Sequence, residues 1–246
     1  MNSVTRTWRV ALTISVALAA TTIVPVGGAQ APAPPPPAPT AAATAARPPA
    51  ASLTRPATPT KPPNVDGFLQ RWLLLEPQPF NGQLTETAVQ AIVGSDEFRS
   101  QLATFPREGD MVKMGNAQLT WRAVDTLAYN VNFYHFAYAL NKPTSNVVFS
   151  VATVVHAPRE ITGVRLAIGS NAASVWWVNG QEVIGIYNDR QTVIDDGVSK
   201  RLTLKQGANV IRGAILNAGG ATDFCARFLD SDNRPLKGIT VSLTER

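Results

Sequence analysis

One cysteine, two histidines and no acidic residue before position 64 are the marked scarcities of this chain. A single thiol, Cys225, rules out an intramolecular disulfide. The 183 residues after position 63 must therefore rely on a buried core, and a chain of that length can build one. Cys225 lies in the apolar run DFCARFLD, where a thiol is expected to be buried and inert. His135 and His156 do not stand at a metal-ligand spacing, and the Gly-x-Ser-x-Gly nucleophile elbow is missing. No two carboxylates stand out as the pair that glycoside hydrolysis needs across a groove. The chain carries 22 Lys+Arg against 17 Asp+Glu, but five of the basic residues precede position 64, which leaves 17 of each sign beyond it. The positive charge thus belongs to the N-terminal part, and nucleic-acid binding by the remainder is not expected.

That N-terminal part has two sections. Residues 1–29 combine Arg6 and Arg9 with the apolar run Val10 to Val24 and the small-residue stretch VGGAQA, the layout of a secretory signal peptide cut before Gln30. The run is short for a bilayer span, so no stable membrane span is expected after cleavage. Residues 30–63 hold 12 prolines in 34 positions, mostly among Ala and Thr, and read as a disordered, extended spacer. Together they imply a secreted, periplasmic or extracellular module, held off an envelope or another partner.

Residues 64–115 are expected to form an N-terminal strand and short helices packed on a domain over 116–246. A strand in FLQRWLLLEP should end at Glu76-Pro77, because the residue before proline is pushed away from helical angles. Leu84, Ala88 and Ile92 share one helical face by their spacing of four. Ser95 can cap a second helix, whose start Asp96 and Glu97 favour and which Pro106 ends. Beyond this the period changes to two. NAQLTWRAV, VNFYHFAYAL, NVVFSVATVVHA, TGVRLAIGS, SVWWVNGQEVI, VSKRLTLKQG, NVIRGAIL, FCARFLD and ITVSLTE are short, branched or aromatic runs between turn residues. They predict an all-β fold, an antiparallel jelly-roll-like β-sandwich with a short N-terminal helical segment. Asn179-Gly180 predicts a hairpin and Lys205-Gln206-Gly207 a second reversal. A bend near Lys200 would reconcile Val198, Leu202 and Leu204 with one face.

Trp177-Val178-Asn179-Gly180, the turn Gly207-Ala208-Asn209 running into Val210, Ile211 and Ile215, Arg227-Phe228, and Pro235 to Gly238 form a recognisable order. This order resembles the galactose-binding-like β-sandwich modules attached to bacterial secreted glycoside hydrolases and esterases, over roughly residues 116–243. The resemblance implies the sandwich fold, structural roles for Asn179, Gly180, Gly207 and Asn209, and a carbohydrate-binding accessory role. Where that group often reads Gly-Ser-Asp-Asp-Gly, this chain has Gly169-Ser170-Asn171-Ala172-Ala173. The missing acids put any calcium held by that loop in doubt.

Strand alternation assigns Trp176 and Trp177 to opposite faces. One belongs in the core; the other faces out as a sugar platform or lies under a loop or the N-terminal helices. Alternation also sets Tyr134, Phe136 and Tyr138 on one face and Phe133, His135 and Ala137 on the other, so Tyr134 and Tyr138 join the tryptophans as candidate ligand contacts. No cofactor is required; Asp189, Asp195 and Asp196 are weak calcium candidates, in turns where acids usually bond local backbone donors. The leading expectation is a non-catalytic module that binds carbohydrate of the envelope or extracellular matrix. Its rival is a protein-interaction or envelope-assembly module with an envelope or secreted protein partner, and a small hydrolase ranks third.

Overall fold

A computed structural model describes residues 53–245. The signal peptide expected over 1–29 and the spacer up to residue 52 lie outside these residues. The described chain is an antiparallel β-sandwich with three short helices.

The larger sheet runs in the order Leu53–Thr54, Ala117–Thr126, Arg71–Leu75, Val147–Ala157, Gly207–Asn217, Ala173–Val178, Gln181–Ile186. Thr240–Ser242 pairs with Val147–Ala157 and with Thr60–Lys61, and Met111–Met114 pairs with Ala117–Thr126. In the smaller sheet, Ile161–Ser170 pairs with Asp223–Leu229, Gly197–Val198 and Leu202–Leu204, and Val131–Asn132 closes the far side. The break at 199–201 separates exposed Val198 from buried Leu204, the bend that the mismatched alternation requires.

The facing surfaces enclose the main core. Trp72, Phe149, Trp176, Ile211 and Ile215 from the larger sheet meet Leu166, Ile168, Phe224 and Phe228 from the smaller one. Trp72, Trp176 and Phe224 form an aromatic knot with ring centroids 5.0–6.0 Å apart, in edge-on or tilted contacts that suit their quadrupoles. The other face of the larger sheet is covered as well. Val148, Val175, Trp177, Ala214 and Leu216 lie under helix α1 (Glu86–Val93) and helix α2 (Asp96–Leu102). Beside them Leu73, Leu75 and Trp121 pack with Phe105 and Met114. A sheet covered on both sides needs apolar residues at consecutive positions, which is why Val147–Ala157 and Ala173–Val178 are almost continuously buried.

Several expectations need correction. Residues 53–63 are not all spacer: Leu53–Thr54 and Thr60–Lys61 pair into the larger sheet. Arg71, 1% exposed, explains their order. Its guanidinium forms a fork with Asp125 (2.8 and 2.9 Å) and also donates to the Thr58 carbonyl at 2.6 Å. A buried charge needs such partners, and the segment before residue 64 supplies one. Nor is 64–115 a preface laid on a finished sandwich, because Arg71–Leu75 is inserted between Ala117–Thr126 and Val147–Ala157.

In α1 the buried side chains are Val89 and Val93, one position on from Ala88 and Ile92. The VNFYHFAYAL run is mostly helix, not strand. Helix α3 (Phe133–Ala139) is capped by the Asn132 side chain, which accepts from the His135 N–H at 3.1 Å. Its buried residues, Phe133, Phe136 and Ala137, follow helical spacing instead of alternation. The reversal at 205–207 joins the two sheets. Leu202–Leu204 pairs in the smaller sheet and Gly207–Asn217 in the larger, so the chain crosses between layers there.

Candidate functional site

The hairpin at Asn179-Gly180 defines the region where the strongest candidate surfaces lie. Both residues have positive φ, 52° and 82°, as the tight turn requires. The Asn179 backbone N–H donates to the Val210 carbonyl at 2.8 Å, and its side-chain oxygen accepts from the Val210 N–H at 2.9 Å. Its side-chain amide donates to the Asn209 side-chain oxygen at 3.0 Å. Asn209 is fully buried and bonds the crossing: its oxygen accepts from the Lys205 N–H (3.0 Å), and its amide donates to the carbonyls of Lys205 (2.8 Å) and Gly207 (3.1 Å). Gly207, at φ 82°, makes the turn into the long strand. Four turn residues read separately in the sequence thus form one bonded unit.

A cleft lies on either side of this unit. One, of about 680 Å³, opens between the edge strand Gln181–Ile186 and the segment 200–203. The other, of about 740 Å³, lies between the hairpin and the end of α2. The second combines an apolar side, formed by Phe105 and an edge of Trp177, with the N–H groups of Arg99, Arg107, Lys205 and Arg212. Among the described residues that line it, Glu245 is the one that carries a carboxylate. The Arg212 side chain fixes the floor. It crosses from strand Gly207–Asn217 to the α2 end, donating to the carbonyls of Gln101 at 3.0 Å and Thr104 at 2.7 Å, with its guanidinium 5.7 Å from the Phe105 ring centre. Burial lowers the Arg212 pKa and Glu245 raises it, and a guanidinium stays charged under either influence.

The tryptophans do not provide an open platform. Trp176 is 0% exposed, in the sandwich core, and its indole N–H donates to Ser174 at 3.0 Å. Trp177 is on the opposite face as alternation requires, yet it is 7% exposed because α2 covers it, with the Phe98 ring 6.1 Å away. Tyr134 and Tyr138 lie one helical turn apart on α3, half-buried, with ring centres 5.2 Å apart. The Tyr134 hydroxyl donates to the Gly220 carbonyl at 2.6 Å, which ties α3 to the loop before Asp223–Leu229. Neither tyrosine is among the residues lining the hairpin cleft.

Two of the three calcium candidates pair with arginines. Asp195 accepts from Arg227 at 2.9 and 3.1 Å, Asp196 pairs with Arg190, and Asp189 is exposed. Each guanidinium supplies the positive charge a cation would bring. Among the described residues no three His, Cys, Asp or Glu side chains converge as a ligand set. Burial pushes the Cys225 thiol up to about 12, so it stays protonated at neutral pH. His156 hydrogen-bonds the Ser242 hydroxyl at 2.7 Å.

Arg99, Phe105, Arg107 and Arg212 were not singled out by sequence reasoning, and Lys205 was read only as a turn residue. One signal was available: Arg212 interrupts the apolar run NVIRGAIL, and a cation inside such a run needs a specific destination.

No family model and no curated protein matches this chain. Among solved structures it is similar to a PA14 sugar-binding domain from an RTX adhesin (TM-score 0.40, 12% identity, covering 68% of this chain and 94% of that one). It is also similar to the PA14 domain of the MpAFP antifreeze protein (TM-score 0.38, 14% identity, covering 63% and 80%). A third is a β-glucosidase from Kluyveromyces marxianus (TM-score 0.38, 18% identity), of which the match spans only 16%, with 51% of this chain covered. Likenesses this distant leave the function to the chemistry of the cleft.

Proposed function

We propose that the sandwich is a non-catalytic module that binds carbohydrate, and that it does so in the cleft between the Asn179-Gly180 hairpin and the end of α2. One observation carries this reading: an open cleft of about 740 Å³ joins an apolar aromatic side to several N–H donors. A sugar ring presents C–H faces that suit Phe105 and the Trp177 edge, and hydroxyls that accept from Arg99, Arg107 and Lys205. The cleft size suits a small oligosaccharide. Glu245 alone among its lining residues is acidic, and glycosidic hydrolysis needs two carboxylates. The hairpin and Gly-x-Asn motifs support assigning the sandwich to the galactose-binding-like kind, and the leader and spacer support display outside the cell, on envelope or extracellular glycans.

The test is a glycan array probed with the full-length chain, followed by titration of any hit against Phe105→Ala and Lys205→Ala. Binding that weakens in both variants, with the denaturation midpoint of Lys205→Ala unchanged, supports the reading. No glycan above background sinks it. Trp176→Ala and Trp177→Ala are poor probes here, since both residues are buried.

A further inference from the structure

We infer that the hairpin cleft selects an anionic saccharide, one bearing a carboxylate or a sulfate ester on the sugar. The inference rests on the carbohydrate reading and narrows it.

The argument begins with the charge balance. Beyond position 63 the chain carries 17 basic and 17 acidic residues, so an even distribution would surround any cleft with both signs. Among the described residues that line this cleft there are four cations, Arg99, Arg107, Lys205 and Arg212, and one acid, Glu245. They come from three separate parts of the chain: α2, the segment after it, and the crossing with its following strand. Among the described residues, no charged side-chain group of the four is within 4.0 Å of a carboxylate, although the Arg107 backbone N–H donates to Asp110 at 2.7 Å. Elsewhere Arg71 is neutralised by Asp125 and Arg227 by Asp195, while half-buried Arg165 has no carboxylate within 4.0 Å.

Arg212 is the decisive member. It is 7% exposed, and two carbonyls and a ring hold it without cancelling its charge. Glu245 acts on it only from beyond 4.0 Å, and a buried cation with no carboxylate in contact raises the potential of the cleft it adjoins, where low-dielectric walls focus that field. Arg99, Arg107 and Lys205 are exposed at the rim, where they can close on an anion. A neutral sugar uses their N–H groups but not their charge; a carboxylate or sulfate uses both. Glu245 is exposed at the same rim and competes for the same cations.

The experiment uses the full-length chain and calorimetric titration with four probes. These are a galacturonate oligosaccharide, its methyl ester, a sulfated galactan oligosaccharide and its desulfated form. The expected result is that at least one anionic probe binds about tenfold more tightly than its neutral partner, the gain of one charge-assisted contact. Which one gains separates carboxylate from sulfate as the source. Arg107→Gln with Lys205→Gln should remove that preference, and Glu245→Gln should strengthen anionic binding about two- to threefold by removing a competitor of rim-charge strength. Equal binding of anionic and neutral partners overturns the inference and leaves the carbohydrate module standing. A preference that persists in the double variant also overturns it, by moving the anion elsewhere. Binding of none of the four, with an array equally blank, overturns both readings. Competition by polyglutamate as strong as by the anionic oligosaccharide shows that charge alone is read, and overturns the saccharide part.

Discussion

Trp176 and Trp177 are adjacent in sequence and belong to different cores. Trp176 stands against Gly213 on the neighbouring strand, where an added Cβ would come within 2.6 Å of the indole ring. That glycine is therefore part of the space the indole occupies. Trp177 points the other way and fastens α2 to the sheet. Truncating a buried tryptophan costs about 3–5 kcal/mol, from lost transfer energy and the cavity left behind. Both Trp176→Ala and Trp177→Ala should fall in this range by urea denaturation. The two should differ in where they act. Trp176→Ala should lower protection from amide exchange in both sheets, whereas Trp177→Ala should free α1 and α2 first. A Trp177→Ala variant as stable as the parent would contradict the packing assigned to it.

At the scale of elements, the hairpin and the layer crossing are held by Asn179 and Asn209 together. Asn179→Ala removes the side-chain bonds to the Val210 N–H and the Asn209 oxygen while leaving the turn a residue with less tolerance for φ of 52°. We expect a loss of about 1–3 kcal/mol, the cost of leaving partners unsatisfied. Asn179→Gly, which relieves the φ demand but restores no bond, should recover only part of it. Equal stability of the Ala and Gly variants would show that the backbone conformation contributes nothing. Turn residues were legible in the sequence because their chemistry is local: Asn-Gly, Gly-x-Asn and the Ser95 cap act within a few positions. The strands were legible for the same reason, from composition and flanking turns. The VNFYHFAYAL helix was not, because its aromatic residues fit either period and the Asn132 cap decides. The exposure of the tryptophans was not legible either, since it depends on α2 returning over the sheet from about 80 residues earlier. The cleft was the least legible part, because Arg99, Lys205 and Arg212 meet only through the tertiary fold.

For the whole molecule, the strand Arg71–Leu75 is the piece that joins the N-terminal region to the sandwich, and ion pairs clasp it at both ends. At its start is the buried Arg71–Asp125 fork, with Lys61 a further 3.8 Å from Asp125. Just past its end, Glu76 meets Arg122 at 2.7 Å and Lys142 at 3.3 Å, linking the neighbouring strand and the loop after α3. Burial pushes the Glu76 carboxyl up, but the hydrogen bonds and charges of Arg122 and Lys142 outweigh it and hold the pKa below its ordinary value. The sign of the pH effect follows. A carboxyl with a folded pKa below its unfolded value of about 4.3 stabilises the fold above that pH, and the contribution fades as pH falls through the folded pKa. Glu76→Gln should therefore lower the denaturation midpoint at pH 7. The gap between variant and parent should narrow as pH falls from about 4.3 through the folded pKa, below which the parent also carries a neutral side chain. A gap that is the same at pH 7 and pH 3 would mean that the shape of the glutamate, and not its charge, clasps the strand. A variant more stable at pH 7 would mean that desolvation of the buried carboxylate outweighs its two cationic partners.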